Sequence, residues 1–236
     1  MKNFSKLTEL INLTMIAASK KRKESMKQMT IAYAVKEGLY LNLTNRCPCA
    51  CTFCIRNEGD GVYGSNPLWL EHEPSFEEVK AALEAADYKK YKEVIFCGYG
   101  EPTEALDVLL KTARYIKANS SVRLRLNTNG LGNLIHSKDI TPFFEGLIDA
   151  VSISLNTSIA ENYLETIRPR FKEKAFPALL EFTRLVKEHV PSVTMTTVST
   201  TISHEDEAGC QKICDQLGVK YRIREFDGQS DQNKTA

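Results

Sequence analysis

The sequence predicts an α/β fold built from parallel β/α units. Two observations carry this. From residue 39 onward, six short apolar runs alternate with longer stretches of helical periodicity. Polar clusters rich in Asn, Gly and Ser fall just after several of those runs, where α/β sheets carry their functional residues. Parallel strands need crossovers of a dozen or more residues, and the helical stretches supply them. Six units are fewer than the eight of a closed barrel. The alternation alone fits a partial barrel and a doubly wound sheet.

The elements follow in order. Residues 4–29 read as a helix with Leu and Ile on one side, ending in a lysine-rich stretch. Residues 31–35 alternate like a strand, Lys36-Glu37-Gly38 reads as a turn, and 39–43 as a second strand, so the pair forms a hairpin. A loop rich in Cys, Gly, Asn and Pro covers 44–74. Ser75, with Glu78 three residues on, is a capping-box start for a helix reaching about residue 89. Strands are expected at 93–97, 122–126, 148–154, 192–198 and 219–225. Helices are expected at 103–118, 158–166, 173–189 and 204–217, the last ending at Gly218. The domain reading is a helical and hairpin extension at 1–38, a core at 39–226, and a polar tail at 227–236.

Composition excludes several classes. The 236 residues are 42% hydrophobic and 26% charged, ordinary for a globular protein with a real core. A net charge of +1 gives no basic excess to drive binding to nucleic acid or anionic membrane. No run of about 18 apolar residues is long enough to cross a bilayer. The apolar stretch near the start carries Glu9, Asn12 and Thr14, and its basic run, Lys20 to Lys23, lies on the far side. A signal peptide reverses that order, so the chain reads as cytoplasmic.

There are seven cysteines, and Cys47, Cys49, Cys51 and Cys54 cluster on the loop leaving the first core strand. Such clustering points to metal rather than to a disulfide framework. The spacing Cys47-x3-Cys51-x2-Cys54 lets one loop present three soft thiolates, suited to an iron–sulfur cluster or to zinc. A four-iron cluster ordinarily takes four cysteines, so three would leave one iron open to another ligand. Cys49 lies between two ligand positions and reads as a thiol facing away, although C-x-C-x-C-x2-C is a formal alternative. Cys210 and Cys214, one helical turn apart, read as buried packing residues. His72, His136, His189 and His204 show no ligand spacing.

Other polar motifs follow the next strands. In Gly98-Tyr99-Gly100-Glu101-Pro102 the glycines allow close backbone approach and positive φ, and Glu101 can accept a hydrogen bond from an ammonium group. Asn127-Thr128-Asn129-Gly130 has the composition of a turn. Ser152, Ser154 and Asn156 share one strand face, where polar residues are unexpected in a core. Arg168 can pair with a carboxylate through a bidentate contact.

The cysteine loop, with Phe53 just before its third cysteine and Gly98 to Pro102 after the next strand, resembles the radical S-adenosylmethionine (SAM) superfamily. The resemblance spans residues 39–225 and implies a partial (β/α)6 TIM-like barrel of parallel strands. It implies a [4Fe–4S] cluster on Cys47, Cys51 and Cys54. The free iron would bind the amino and carboxylate groups of SAM, and SAM would be cleaved to methionine and a 5′-deoxyadenosyl radical. It further implies SAM contacts at Phe53 near the adenine and at Gly98, Tyr99, Gly100 and Glu101 near the methionyl amino group. Asn127, Asn129, Ser152, Ser154 and Asn156 would serve the ribose and carboxylate, with Arg168 also on the carboxylate. No glycine follows the fifth core strand until Gly209, where many members keep an adenine-contact motif; Val198 or Ile202 would stand in.

The segments from Leu41 to Arg56 and from Phe96 to Thr103 look like the branch associated with TatD-type hydrolases. That likeness implies a functional link to such a hydrolase, alongside an electron donor such as flavodoxin or ferredoxin. The compact size also resembles glycyl-radical-enzyme activases. The G-x-G-E-P form occurs in RNA-methylating members, although no cysteine follows Cys214. From a different class, the chain would be a non-catalytic iron–sulfur or zinc module.

Overall fold

The structure, a computed structural model, describes residues 29–57, 59–61 and 64–225. The expected N-terminal helix, apart from Met29, and the tail at 227–236 lie outside the described residues. Seven strands form one sheet: β1 (Ala32–Val35), β2 (Gly38–Leu41), β3 (Glu93–Phe96), β4 (Arg123–Thr128), β5 (Ala150–Ser154), β6 (Val193–Val198) and β7 (Lys220–Arg224). Strands β1 and β2 pair antiparallel as a hairpin, and each later neighbour is parallel. The helices are α1 (Phe76–Ala85), α2 (Leu106–Asn119), α3 (Gly132–His136), α4 (Ala160–Ile167), α5 (Ala175–Val186) and α6 (His204–Leu217).

Strand order in space follows chain order from one edge to the other. A doubly wound sheet reverses direction at a switch point, whereas steady progression with crossovers of one hand puts the helices on one face. The sheet is therefore part of a barrel, which resolves the choice the sequence left open. The pleat divides its chemistry. Leu39, Val94, Leu124, Val151 and Met195 point to the helices and form the buried core. The alternate residues Tyr40, Arg125, Asn127, Ser152, Thr196 and Arg224 line the concave side.

Local signals set the boundaries. Ser75 accepts from the Glu78 amide at 3.3 Å and its own amide donates to Glu78 Oε2 at 2.9 Å, completing the predicted capping box. Helix α1 stops at Ala85, before the predicted residue 89, and Asp87 beyond it takes a left-handed φ of 50°. Strand β2 ends at Leu41 rather than at residue 43, because the Asn42 side chain turns to loop contacts described below. Helix α6 starts at the Ser203 cap and ends at Gly218, whose φ of 67° favours glycine.

Candidate active site

The cysteine loop leaves β2 and is stitched down on two sides. The Ala50 and Thr52 amides donate to the carbonyls of Ile167 and Thr166 at the end of α4, at 3.1 and 2.9 Å. The Arg170 amide donates to Pro48 O at 2.8 Å, and the Glu101 amide donates to Arg46 O at 2.8 Å. Cys49 is buried, while Cys47, Cys51 and Cys54 are partly exposed. Hydrogen bonding from Cys49 pulls Cys47 and Cys51 below the usual thiol range, and the same contacts push Cys49 far above it. Asn129 Nδ2 stands 3.9 Å from Cys47 Sγ and 3.7 Å from Cys49 Sγ. Burial works against the Arg56 charge, but Cys54, hydrogen-bonded to it, holds its pKa up. Among the described residues, no three His, Cys, Asp or Glu side chains gather around a single-ion position.

The turn after β3 is built into the loop after β2. Glu101 is buried, and its carboxylate accepts from Thr103 N at 3.1 Å, Thr103 Oγ1 at 2.8 Å, Thr128 Oγ1 at 2.7 Å and Asn129 N at 2.7 Å. Its lone pairs are thus largely engaged within the chain, bracing the β3 exit against the β4 exit. Burial raises its pKa, and those four hydrogen bonds oppose the rise. The glycines differ from expectation: neither Gly98 nor Gly100 takes a positive φ. They are required by close approach, since a Cβ on Gly98 would collide with Asn42, and one on Gly100 with the carbonyls of Thr44 and Arg46. Tyr99 donates its hydroxyl to Gly59 O at 2.6 Å and meets Trp69 edge-on, so it ties both residues to the turn after β3.

Sequence reading missed two asparagines that hold this frame. Asn42 is fully buried; its Nδ2 donates to Leu68 O at 2.6 Å and Thr30 O at 3.3 Å, and its Oδ1 accepts from Tyr99 N at 3.3 Å. Asn45 grips Leu70 at both backbone atoms, at 2.7 and 3.0 Å. The only sequence signal for Asn42 was a polar residue between Leu41 and Leu43 at a strand end.

A cavity of about 370 Å³ opens on the concave side at these strand ends. It is lined by Cys47, Cys49, Cys51, Phe53 and Cys54, by Gly98, Tyr99, Gly100 and Glu101, and by Asn127, Asn129, Ser152, Ser154 and Asn156. Asn127 hydrogen-bonds with Cys97 through its side chain, and its Oδ1 is buried there without a hydrogen-bond partner among the described residues. Arg168 stands apart: it is exposed, caps α4 with a φ of 50°, and donates from Nε to Glu165 O at 3.2 Å. The guanidiniums lining the cavity are those of Arg125, Arg222 and Arg224. Their alternation along β4 and β7, in step with Asn127, was the readable sign of an inward polar face. The four histidines are engaged elsewhere, with Glu78, Thr103 O, Glu145 and Glu207. Cys210 and Cys214 lie on the buried face of α6, and burial pushes both thiols up to about 12.

Comparison with known proteins agrees with this arrangement. The family description "Radical SAM superfamily" matches residues 41–215. A GTP 3′,8-cyclase of Corynebacterium glutamicum (strain R) is 33% identical over 141 residues, covering 57% of this chain and 34% of that protein. The chain thus spans about a third of the length of the curated relatives it matches. Among solved structures, Streptococcus suis SuiB bound to S-adenosylmethionine superposes with a TM-score of 0.55 at 16% identity, covering 82% of this chain and 39% of that one. A radical SAM methyltransferase from Sphaerobacter thermophilus gives 0.55 at 13% identity, covering 82% and 68%. At such identities the structural likeness speaks for the partial-barrel fold. The match over residues 41–215 takes in the cysteine loop, the β3 turn and the polar strand ends, and by it the chain belongs to the radical SAM superfamily of enzymes, whose cofactors are a [4Fe–4S] cluster and SAM.

Proposed function

We propose that this chain holds a [4Fe–4S] cluster through Cys47, Cys51 and Cys54, binds SAM along the adjoining strand ends, and abstracts a hydrogen atom from its substrate. One observation carries the reading. The cysteine loop, the Gly98–Glu101 turn and the polar faces of β4 and β5 converge on one cavity, where Asn127 presents a buried oxygen with no partner. An orphaned buried acceptor calls for a donor from a ligand. Three partly exposed thiols beside that opening suit a cluster with one iron left free.

Reduced and bound together, the two cofactors supply methionine and a 5′-deoxyadenosyl radical. The chain's own groups bind and orient. Cys49 does not face away as its spacing suggested, since it lines the same cavity and hydrogen-bonds with Cys47 and Cys51, and in this reading it is a neighbour of the cluster rather than a ligand. Glu101 holds the β3 and β4 exits in register through its four donors, so that backbone and amide groups face SAM from fixed positions. Phe53 offers an apolar surface for the adenine. Among the described residues, no helix is long and apolar enough to cross a membrane, and we place the enzyme in the cytoplasm with a flavodoxin- or ferredoxin-type reductant. The motif likeness to the TatD-associated branch supports a functional link to such a hydrolase.

The test is anaerobic reconstitution with iron and sulfide, reduction with dithionite, and chromatographic detection of 5′-deoxyadenosine from SAM. Cluster-dependent formation is expected. A fully loaded cluster that leaves SAM intact overturns the reading.

A further inference from the structure

The concave side carries a cationic cluster that the binding of SAM does not call for in full. Arg125 on the central strand β4 and Arg222 and Arg224 on β7 line the cavity beside the cysteines. The same three line a second opening of about 600 Å³ toward the start of the strands, together with Lys36, Lys92 and Arg123. The acids facing them are few. Glu93 pairs with Arg125 at 2.8 Å, Glu37 pairs with Lys92 at 2.7 Å, Glu225 stands exposed at the rim, and Glu101, which lines the same cavity, is engaged by its own four donors. Among the described residues, Arg222 and Arg224 have no ion-pair partner. The Nε atoms of Arg125 and Arg224 are buried without acceptors. Arg222 is solvent-exposed at the edge of the cluster, where partial desolvation, followed by the charges of Arg125 and Arg224, pulls it below its usual pKa.

Inward charges on an edge strand also serve to discourage strand addition, and β7 is an edge. That role does not reach Arg125, which lies mid-sheet, nor does it explain buried donors left without acceptors. We propose that Arg125, Arg222 and Arg224 form the anion-binding part of the substrate site, and that the substrate carries a phosphoryl group. The inference rests on the barrel being the SAM-dependent active site. With Arg125 paired to Glu93, the guanidiniums of Arg222 and Arg224 remain without a paired carboxylate among the described residues. A phosphoryl group, at about −1.5 to −2 near neutrality, sets three acceptor oxygens on one compact centre between the guanidiniums, whereas a dicarboxylate of equal charge divides its oxygens between two separate planar groups. Rigid guanidinium forks suit such multidentate contact better than ammonium groups do.

The probe is inorganic pyrophosphate, titrated calorimetrically into cluster-loaded protein saturated with SAM, with malonate as the carboxylate control. Pyrophosphate should bind, and malonate should bind at least about tenfold more weakly. Arg222→Gln and Arg224→Gln should each weaken pyrophosphate about tenfold, and Arg222→Lys should recover part of the loss. A second measurement needs no variant: pyrophosphate should protect Arg222 of the wild type from phenylglyoxal, read by mass spectrometry. Absence of pyrophosphate binding, or malonate binding as tightly, overturns the proposal. So does a loss of SAM affinity with unchanged pyrophosphate affinity, which would assign the arginines to the SAM carboxylate. A lowered melting temperature with no change in anion binding would leave only the edge-strand role. Anion binding without SAM cleavage would sink the SAM reading alone, and SAM cleavage without anion binding would sink this one alone.

Discussion

Replacing Asn42 by leucine keeps the number and branching of side-chain heavy atoms and removes every polar contact that the side chain makes. Three backbone groups lose their partner: Leu68 O, Thr30 O and Tyr99 N. The 2.6 Å bond to Leu68 is the strong one, and the two at 3.3 Å are at the weak end. Because Asn42 is fully buried, water cannot replace them. One strong buried partner left unsatisfied costs about 1–3 kcal/mol and the weak pair adds roughly 1, giving about 2–4 kcal/mol in all. At a urea slope of about 2 kcal/mol per molar, the unfolding midpoint of the cluster-free protein should fall by roughly 1–2 M. The loosened Tyr99 turn should also weaken SAM binding to the loaded protein. A midpoint shift below roughly 0.3 M with unchanged SAM affinity would refute the claim that Asn42 holds the site's frame.

The same frame makes other perturbations specific. Gly100→Ala sets a methyl group against two backbone carbonyls that have no rotamer to yield, so melting should report a loss of about 1–3 kcal/mol; an unchanged melting temperature contradicts the close approach. Asn127→Ala removes an oxygen that has no partner among the described residues and gives up only the side chain's hydrogen bond with Cys97, so urea stability should fall by no more than about 1 kcal/mol while SAM affinity falls about tenfold; the reverse pattern would make Asn127 structural. Glu101 gives a pH signature. Burial raises its folded pKa, so its stabilising contribution is full below the ordinary value of 4.5 and is lost as pH rises through the raised folded value. The stability gap between cluster-free wild type and Glu101→Gln should therefore narrow with rising pH, and a widening gap would show that the four hydrogen bonds outweigh burial.

Much of this was legible because local signals and burial agreed. Alternating apolar runs marked the strands, Ser75 and Glu78 marked a helix start, and Cys47, Cys51 and Cys54 marked the loop. What was not legible depended on residues distant in sequence. The choice of a barrel over a doubly wound sheet rests on strand order, which no local window encodes. Asn42 acts on Leu68 and Tyr99, 26 and 57 residues away, and belongs to no motif. Gly98 and Gly100 read as positions of positive φ and of close backbone approach to a ligand, but φ is not positive at either and it is the β2 loop that presses on them. Arg168 had the right charge for a carboxylate, yet the end of α4 turns it to solvent, while Arg125, Arg222 and Arg224 sat unnoticed within strands.

The most direct test of the central claim compares wild type with Cys47→Ala, Cys49→Ala, Cys51→Ala and Cys54→Ala after identical anaerobic reconstitution. Iron and sulfide are counted, and the electron paramagnetic resonance of the reduced protein is recorded with and without SAM. A four-iron cluster whose signal shifts on adding SAM is expected in wild type and in Cys49→Ala, with no cluster in the other three. A cluster lost from Cys49→Ala, or a wild-type signal indifferent to SAM, would contradict three-cysteine ligation with an iron open to SAM.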